Sequence, residues 1–349
     1  MTAAWLLYGA SGYTGELLAR RAAAGGERPI LAGRSAGPVR ALAEELGLES
    51  RVFSLDAPHA VDRALEGVSL VLHAAGPFRH TAIPMAEGCL RRGAHYLDIT
   101  GEIEVFEALA ARDGAARSRG VVLLPGAGFD VVPSDCLAAH VVGRRPAATH
   151  LALAFKGGLR VSRGTALTSL GRIHQGGAVR RDGHIVRVPA AFRTRRIAFG
   201  DGEATAITIP WGDVATAFHS TGVPNVEVYM AAPRALRRLL RWGRPLLPLL
   251  GLPPLQALLR SRIRSRPAGP TAEERARGRM FLWAEASDAG GSTVSLLETP
   301  EAYELTVRAA IRAAGRVRQG GVAPGFQTPS RAFGPDFVLE IEGTARADL

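Results

Sequence analysis

The chain has 349 residues and nearly half of them are hydrophobic, which allows two globular domains and excludes a disordered protein. Its net charge is +11, but nine arginines and no acid fall between residues 234 and 266. The basic character is therefore local, and we expect no nucleic-acid partner. Cys89 and Cys136 are the only cysteines, and they indicate a reducing compartment and no metal site. The sequence does not begin with the basic residues and apolar stretch of a signal peptide, so we expect a cytoplasmic protein.

The first fifteen residues predict a strand, a glycine turn and a helix. Glycines at three-residue spacing permit a sharp turn, a close approach of a diphosphate and tight packing of helix on strand. The free N–H groups and the helix dipole at such a turn favour phosphate. An ordinary β-to-α turn is the alternative. The predicted phosphate-binding residues are Gly9, Ala10, Ser11, Gly12, Tyr13, Thr14 and Gly15.

The end of the second predicted strand indicates which dinucleotide binds. NAD sites usually carry an acidic residue there, which accepts a hydrogen bond from the ribose 2′-hydroxyl. This sequence has Arg34 and Ser35 instead. A guanidinium binds a 2′-phosphate in bidentate fashion, so we predict NADP as the cofactor. The alternative is that Arg34 is one solvated arginine among many.

Two further strand ends complete the predicted nicotinamide site. The apolar strand Val68–Ala75 runs into small residues and a Gly-Pro turn, and we expect the cofactor to lie across Ala75, Gly76, Pro77 and Phe78. The next predicted strand, His95–Ile99, carries Asp98, and Glu102 follows it closely. Either carboxylate is a candidate proton donor or acceptor, and either could instead cap the helix predicted at residues 105–117. Asp130, which follows the last parallel strand, is the third candidate.

After residue 146 the pattern changes to short alternating strands with a hairpin signal at Asp288–Gly291. We therefore predict an α/β fold class: an N-terminal Rossmann-type parallel sheet with a second α+β domain of mostly antiparallel strands. The predicted boundaries are 1–142 for the dinucleotide-binding domain and 143–299 for a substrate and dimerisation domain. Residues 300–349 are expected to return to the first domain, and the protein to form a homodimer.

Residues 234–266, hereafter the Arg/Leu segment, are unusual. Leucines crowd positions 239–259 between prolines, and no uninterrupted apolar run reaches the ~20 residues needed to span a bilayer. Flanking arginines allow peripheral contact with an anionic membrane or with a lipid-like substrate. Packing on the protein itself or on a second subunit is the other interpretation, and the sequence leaves both open.

Together these motifs resemble the saccharopine-dehydrogenase-like oxidoreductases, a family that includes bacterial trans-acting enoyl reductases. The matching stretches are Gly9–Gly15, Ala75–Phe78, Tyr96–Glu102, Gly128–Asp135, and, more weakly, Ser162–Thr165 and Gln327–Gly334. The resemblance implies an N-terminal Rossmann domain, an inserted α+β domain and the use of NADP. It does not fix the substrate.

Two rival enzyme classes fit less well. A short-chain dehydrogenase needs Tyr and Lys four residues apart, and the only lysine, Lys156, does not follow any tyrosine at that spacing. A reductase that forms a thioester needs a nucleophilic cysteine, and neither Cys89 nor Cys136 is in a typical nucleophile setting.

The sequence thus predicts an NADP(H)-dependent reductase that transfers hydride to a C=N or C=C bond of a small-molecule or lipid-like substrate. The substrate is expected between Thr100–Glu102, Phe129–Asp130 and Ser162–Thr165. A non-catalytic NADP-binding protein at lipid or membrane surfaces remains the alternative.

Overall fold

The computed structural model describes residues 4–158, 160–171 and 173–349. The first part of the chain alternates strands and helices, as the sequence predicts. The elements are β1 (Ala4–Tyr8), α1 (Tyr13–Ala24), β2 (Ile30–Gly33), α2 (Ala36–Leu46), β3 (Ser50–Val52), α3 (Pro58–Ala64), β4 (Val68–His73), α4 (Phe78–Arg92), β5 (His95–Asp98), α5 (Ile103–Ala110), α6 (Asp113–Ser118) and β6 (Val122–Leu124). The single helix expected at 105–117 is wrong, because α5 and α6 are separate helices.

The middle of the chain is richer in strands. It contains α7 (Val132–Arg144), β7 (His150–Gly157), α8 (Arg163–Leu170), β8 (Gly177–Arg181), β9 (His184–Val188), β10 (Thr194–Ala198), β11 (Glu203–Thr208), α9 (Asp213–Thr221), β12 (Asn225–Ala231), α10 (Arg234–Trp242), α11 (Pro253–Arg264), α12 (Ala272–Arg277), β13 (Arg279–Asp288) and β14 (Gly291–Pro300). A 3-10 helix, Arg244–Gly251, lies between α10 and α11. The chain ends with α13 (Ala302–Gln319), β15 (Gly325–Phe326), α14 (Pro329–Phe333) and β16 (Ala345–Asp348).

The first compact unit comprises residues 1–130 and 305–333. Its seven parallel strands are ordered β15-β6-β5-β4-β1-β2-β3, so β1 and β4 lie at the centre. This order confirms the predicted Rossmann-type sheet, in which ligands bind beyond the carboxyl ends of the strands. Strand residues Leu6, Val71 and Leu123 are buried in its core, as the apolar runs predict.

The second unit comprises residues 131–304 and 334–349 and contains a nine-stranded sheet. The main path runs β10-β11-β12-β7-β13-β14-β16, and β8 joins β12 to β9. Among the described strands of this second sheet, only β7 and β12 pair in parallel, so the prediction of mostly antiparallel strands is confirmed. The hairpin predicted at Asp288–Gly291 is also present, because these two residues pair at the tip of β13 and β14.

The unit boundaries differ from those that we expected at 142 and 299. Helix α7 belongs to the second unit because it packs on β13, β14 and α9. Residues 334–349 also belong there, because β16 pairs with β14. Asp348 on β16 accepts from Arg144 at 3.0 Å and from Ser295 at 2.7 Å. Of the expected return to the first domain, only residues 305–333 follow the prediction.

No helix among the described residues is long and apolar enough to cross a membrane.

Candidate functional site

The glycine turn follows β1 and is fixed by backbone contacts to the neighbouring strands. The Gly9 and Ala10 N–H groups both donate to the Ala32 carbonyl of β2, at 2.8 and 3.1 Å. On the other side, the Ala74 N–H donates to the Tyr8 carbonyl at 2.8 Å. The turn is therefore held between the carboxyl ends of β2 and β4, at the edge where a parallel sheet binds its ligand.

Two of the three glycines leave no room for a side chain. Gly9 has φ +87°, and a Cβ there would lie 2.8 Å from the Ala75 nitrogen. At Gly15, a Cβ would lie 2.0 Å from the Gly9 carbonyl oxygen, so only glycine allows α1 to pack this closely. At Gly12, the nearest atom would be 3.3 Å away, which is tight but not prohibitive.

Helix α1 begins at Tyr13, directly after the turn, and its N-cap Gly12 provides no side-chain hydrogen bond. The first turn of the helix thus presents backbone N–H groups and the positive end of its dipole at the sheet edge. Ser11 and Gly12 are exposed. This arrangement suits a diphosphate, and it agrees with the role predicted for Gly9–Gly15.

Arg34 lies at the tip of β2 and is exposed. Within the described part of the chain, its guanidinium forms no hydrogen bond or ion pair. Its charge lowers the pKa of the nearby Tyr8 hydroxyl, although burial has the larger, opposite effect and the net pKa of Tyr8 is raised. Ser35 beside it is also exposed, and as the N-cap of α2 it makes no side-chain bond. Both side chains are available to a 2′-phosphate, so the residues present fit NADP.

The segment Ala75–Phe78 meets the glycine turn directly. The Ala75 side chain is one of the atoms that a Cβ on Gly9 would strike, at 2.9 Å. His73, which precedes this segment at the end of β4, is fully buried and bonds Thr81 Oγ1 through Nε2 at 3.0 Å. Burial lowers the pKa of His73 to about 3, so the ring is neutral. Nothing in the sequence singled out this histidine.

The carboxylates of Asp98 and Glu102 both accept hydrogen bonds from backbone N–H groups. Asp98 is fully buried, and its Oδ1 accepts from the Thr100 and Gly126 N–H groups, both at 2.9 Å. Its Oδ2 accepts from the Tyr96 hydroxyl at 2.7 Å. Burial raises the pKa of Asp98 to about 6, although these hydrogen bonds oppose the shift. The carboxylate links the ends of β5 and β6.

Glu102 caps a helix, but not the one that the sequence suggested. Its Oε1 accepts from the Phe78 N–H at 2.7 Å and its Oε2 from the Arg79 N–H at 3.2 Å. Both donors lie in the first turn of α4, whereas its own helix α5 receives no side-chain cap from it. Glu102 therefore fixes the start of α4 beside the predicted nicotinamide segment.

Asp130 follows β6 and stays partly exposed, unlike the other two carboxylates. Its side chain lies over Gly101, where an added Cβ would come within 2.6 Å of Asp130 Oδ2. Burial and, to a smaller extent, the negative charge of Glu102 together raise the pKa of Asp130 to about 7. The neighbouring Phe129 N–H donates to Thr306 on α13 at 2.9 Å, a contact that the sequence did not indicate.

The Ser162–Thr165 motif lies in the second unit, where it starts α8. Ser162 Oγ accepts from the Thr165 N–H at 3.2 Å, and the Ser162 N–H donates to the Tyr303 hydroxyl at 2.6 Å. Both bonds hold the backbone of the motif. They do not by themselves identify a ligand.

A cavity of about 350 Å³ lies on the second sheet, and no motif in the sequence indicates it. Four of its charged side chains form two ion pairs, Arg193 with Glu227 at 2.8 Å and Arg195 with Glu285 at 2.7 Å. Arg180, Arg181 and Asp182 also line it.

The two thiols are poor nucleophiles. Cys89 and Cys136 are fully buried, and burial raises the pKa of both thiols well above the ordinary value. This agrees with the low rank of the thioester-forming reductase. Among the described residues, no group of three or more His, Cys, Asp or Glu side chains could hold a metal ion.

Comparisons with known proteins agree with the predicted resemblance. The profile of the saccharopine dehydrogenase NADP-binding domain matches residues 5–124. A trans-acting enoyl reductase of Mycobacterium tuberculosis is 32% identical over 144 residues, which cover 37% of this chain and 33% of the relative. A human saccharopine dehydrogenase-like oxidoreductase is 26% identical over 150 residues, which cover 37% and 35%. The match thus spans about a third of the length of these curated relatives.

Among solved structures, the saccharopine dehydrogenase (L-Glu forming) of Saccharomyces cerevisiae covers 99% of this chain and is itself covered completely. The TM-score is 0.66 at 11% identity, so this likeness concerns the fold alone. Residues 5–124 therefore match the saccharopine dehydrogenase NADP-binding domain, on a chain whose fold is similar to that of a saccharopine dehydrogenase.

Proposed function

We propose that the protein is an NADP(H)-dependent reductase that transfers hydride to a C=N or C=C bond. One observation carries the proposal. The segments predicted to hold the diphosphate, the 2′-phosphate and the nicotinamide follow β1, β2 and β4, three neighbouring strands, and end at the same edge of the first sheet. These segments are up to sixty residues apart in the sequence, and the fold brings them to one sheet edge.

In this proposal Gly9–Gly15 bind the diphosphate, Arg34 and Ser35 bind the 2′-phosphate, and Ala75–Phe78 contact the nicotinamide. Glu102 positions that last segment through its two hydrogen bonds to the start of α4. When bound, the cofactor supplies the hydride, and the chain supplies orientation and a water-poor surface.

Asp130 is the proton donor in the proposed reaction. Asp98 and Glu102 hold the strand ends and the start of α4 through their hydrogen bonds, so we assign them positioning roles. Asp130 is partly exposed at the same edge, and its raised pKa keeps a large fraction protonated near neutral pH. Protonation of the product carbon or nitrogen needs such an acid.

The first test is cofactor preference. Replacing Arg34 with Ala removes the guanidinium that has no other partner in the described chain, and a lost charge-assisted contact of this kind lowers affinity about 10–100-fold. We expect weaker NADPH binding and unchanged NADH binding, measured by calorimetry or by thermal shift. At one hundred times Kd, a ligand stabilises the protein by about 2.7 kcal/mol, which is easily seen. Arg40→Ala, which removes an exposed arginine on α2, is the matched control. Equal stabilisation of the wild type by the two coenzymes would contradict the assignment.

The second test is the reaction. NADPH consumption is followed with a panel of enoyl thioesters, enals and imines, and the best substrate is then used for a pH profile. The acid form of Asp130 is needed, so we expect kcat/KM to fall as pH rises above about 7. Asp130→Asn should lower the rate about 10²–10⁴-fold and remove this limb of the profile. An unchanged profile in Asp130→Asn would assign the proton to another group.

A further inference from the structure

None of the residues of the Arg/Leu segment is buried. Its three helices, α10, the 3-10 helix Arg244–Gly251 and α11, contain no buried residue, although the segment has eleven leucines. Among the described residues, ten large hydrophobic side chains are exposed, and six of them lie here. These six are Leu239, Trp242, Leu246, Leu249, Leu252 and Leu258. An apolar concentration of this kind marks an interaction surface.

Side-chain hydrogen bonds join the Arg/Leu segment to the rest of the second unit. The Arg244 guanidinium donates to the Ala190 and Ala191 carbonyls at 2.8 and 2.6 Å. The Gln256 side chain donates to the Leu170 carbonyl at the end of α8 at 3.1 Å. The exposed leucines are therefore part of a surface that is positioned by its own backbone contacts.

Helix α10 separates charge from apolar side chains. At 100° per residue, Arg234, Arg237, Arg238 and Arg241 fall on one face, and Leu236, Leu239 and Leu240 fall on the opposite one. Trp242 ends the helix and is 80% exposed. Within the described chain, the guanidinium groups of these four arginines form no hydrogen bond or ion pair, and the Arg237 Nε is buried. The whole segment contains no acid, so nothing within it neutralises them.

We propose that the Arg/Leu segment docks the protein on the surface of an anionic phospholipid bilayer. Helix α10 lies in the plane of the headgroups, with its leucines and Trp242 in the outer acyl region and its arginines at the lipid phosphates. Charge decides against a second copy of this chain as the occupant. A symmetric contact would bring nine arginines against nine others with no acid between them. This proposal does not depend on the proposed reductase activity.

Vesicle flotation tests the charge. We expect the protein to float with phosphatidylcholine vesicles that contain phosphatidylglycerol and to stay behind with phosphatidylcholine alone. Added salt should release it, since the screening length falls from about 10 Å at 0.1 M to about 3 Å at 1 M. Arg238→Gln and Arg241→Gln should each weaken partitioning about fivefold. The double variant Arg196→Gln/Arg277→Gln, which removes two exposed arginines elsewhere, should bind like the wild type.

Fluorescence tests insertion. Trp5 and Trp283 are buried, and Trp211 is partly buried against the Phe155 ring, so the emission that responds to a membrane is expected from Trp242. Lipids brominated on the acyl chain should quench it, and Trp242→Phe should lose this quenching. Leu239→Ser should weaken partitioning about tenfold, because it removes one buried apolar side chain from the bilayer. Val161→Ser, at another exposed apolar residue, should not.

Three results would overturn the proposal. The first is no binding to anionic vesicles at low salt. The second is binding that is unchanged in the arginine and leucine variants. The third is a dimer in sedimentation velocity that separates in Leu239→Ser while vesicles bind neither protein, which would assign the segment to contact between copies. Circular dichroism and urea midpoints of each variant confirm that it folds.

Discussion

The glycine turn and the Arg/Leu segment are constrained in opposite ways. In the turn, a Cβ added at Gly9 or Gly15 would overlap neighbouring backbone atoms, so the available space requires glycine at both positions. In the segment, no residue is buried, and neighbouring protein atoms set few limits on the side chains. The residue pattern in the turn thus serves the fold and, in the proposed function, the ligand as well. In the segment, the pattern of leucine and arginine contributes little to folding, so it points to an external partner.

The largest expected effect comes from adding one Cβ atom in the glycine turn, where space is limiting. Gly15→Ala places a Cβ 2.0 Å from the Gly9 carbonyl oxygen, and the backbone must move to admit it. We expect a loss of about 3 kcal/mol in the free energy of unfolding, together with loss of NADPH binding. Urea unfolding measures the first and calorimetry the second. Gly315→Ala is the control, because that helical position has no atom within 4 Å of the added Cβ, and alanine there should stabilise by about 1 kcal/mol. Equal behaviour of the two variants would show that the turn is less constrained than its packing implies.

An intermediate effect is expected at Glu102, which is buried like Gly15 but acts through charge. Glu102→Gln leaves one acceptor oxygen for two N–H donors, at Phe78 and Arg79. We expect a destabilisation of about 2 kcal/mol, measured by urea unfolding.

The same variant also removes the charge that raises the pKa of Asp130. The pH at which kcat/KM falls should therefore move downward. A profile that stays in place while stability drops would separate the capping role of Glu102 from its electrostatic role.

The smallest effect on the free energy of unfolding is expected in the Arg/Leu segment. Leu239→Ser and Trp242→Ser alter side chains that are 68% and 80% exposed, so the folded protein loses few contacts. Each should change the free energy of unfolding by no more than about 0.5 kcal/mol in urea. A loss of 2 kcal/mol or more in either variant would mean that the leucines pack within the protein in solution.

The positions of the candidate cofactor-binding segments in the fold could be predicted because their signals are local. A glycine turn between a strand and a helix, and an arginine at the next strand end, are each encoded within a few neighbouring residues. The role of Glu102 could not be predicted in the same way. Its partners are backbone N–H groups 24 and 23 positions earlier in the chain, and any acidic side chain before α5 looks like a cap for α5 itself.

Strand β8 and the contact of Thr306 with Phe129 were missed for a related reason. Strand β8 reads Gly-Ala-Val-Arg-Arg, which lacks the alternation that marks a strand, and its pairing with β12 and β9 decides its conformation. Thr306 meets Phe129 across 177 residues of sequence. Tertiary contacts of this range leave no local pattern to read.

The return of residues 305–333 to the first unit has a consequence for biosynthesis. Strand β15, which pairs with β6, is made after nearly all of the second unit has left the ribosome. Until then β6 is an unprotected sheet edge, and the partner of the Phe129 N–H does not exist. The dinucleotide-binding half therefore cannot mature ahead of the rest during translation, as an N-terminal domain usually does. Nascent chains of this protein should depend on chaperones over most of their length.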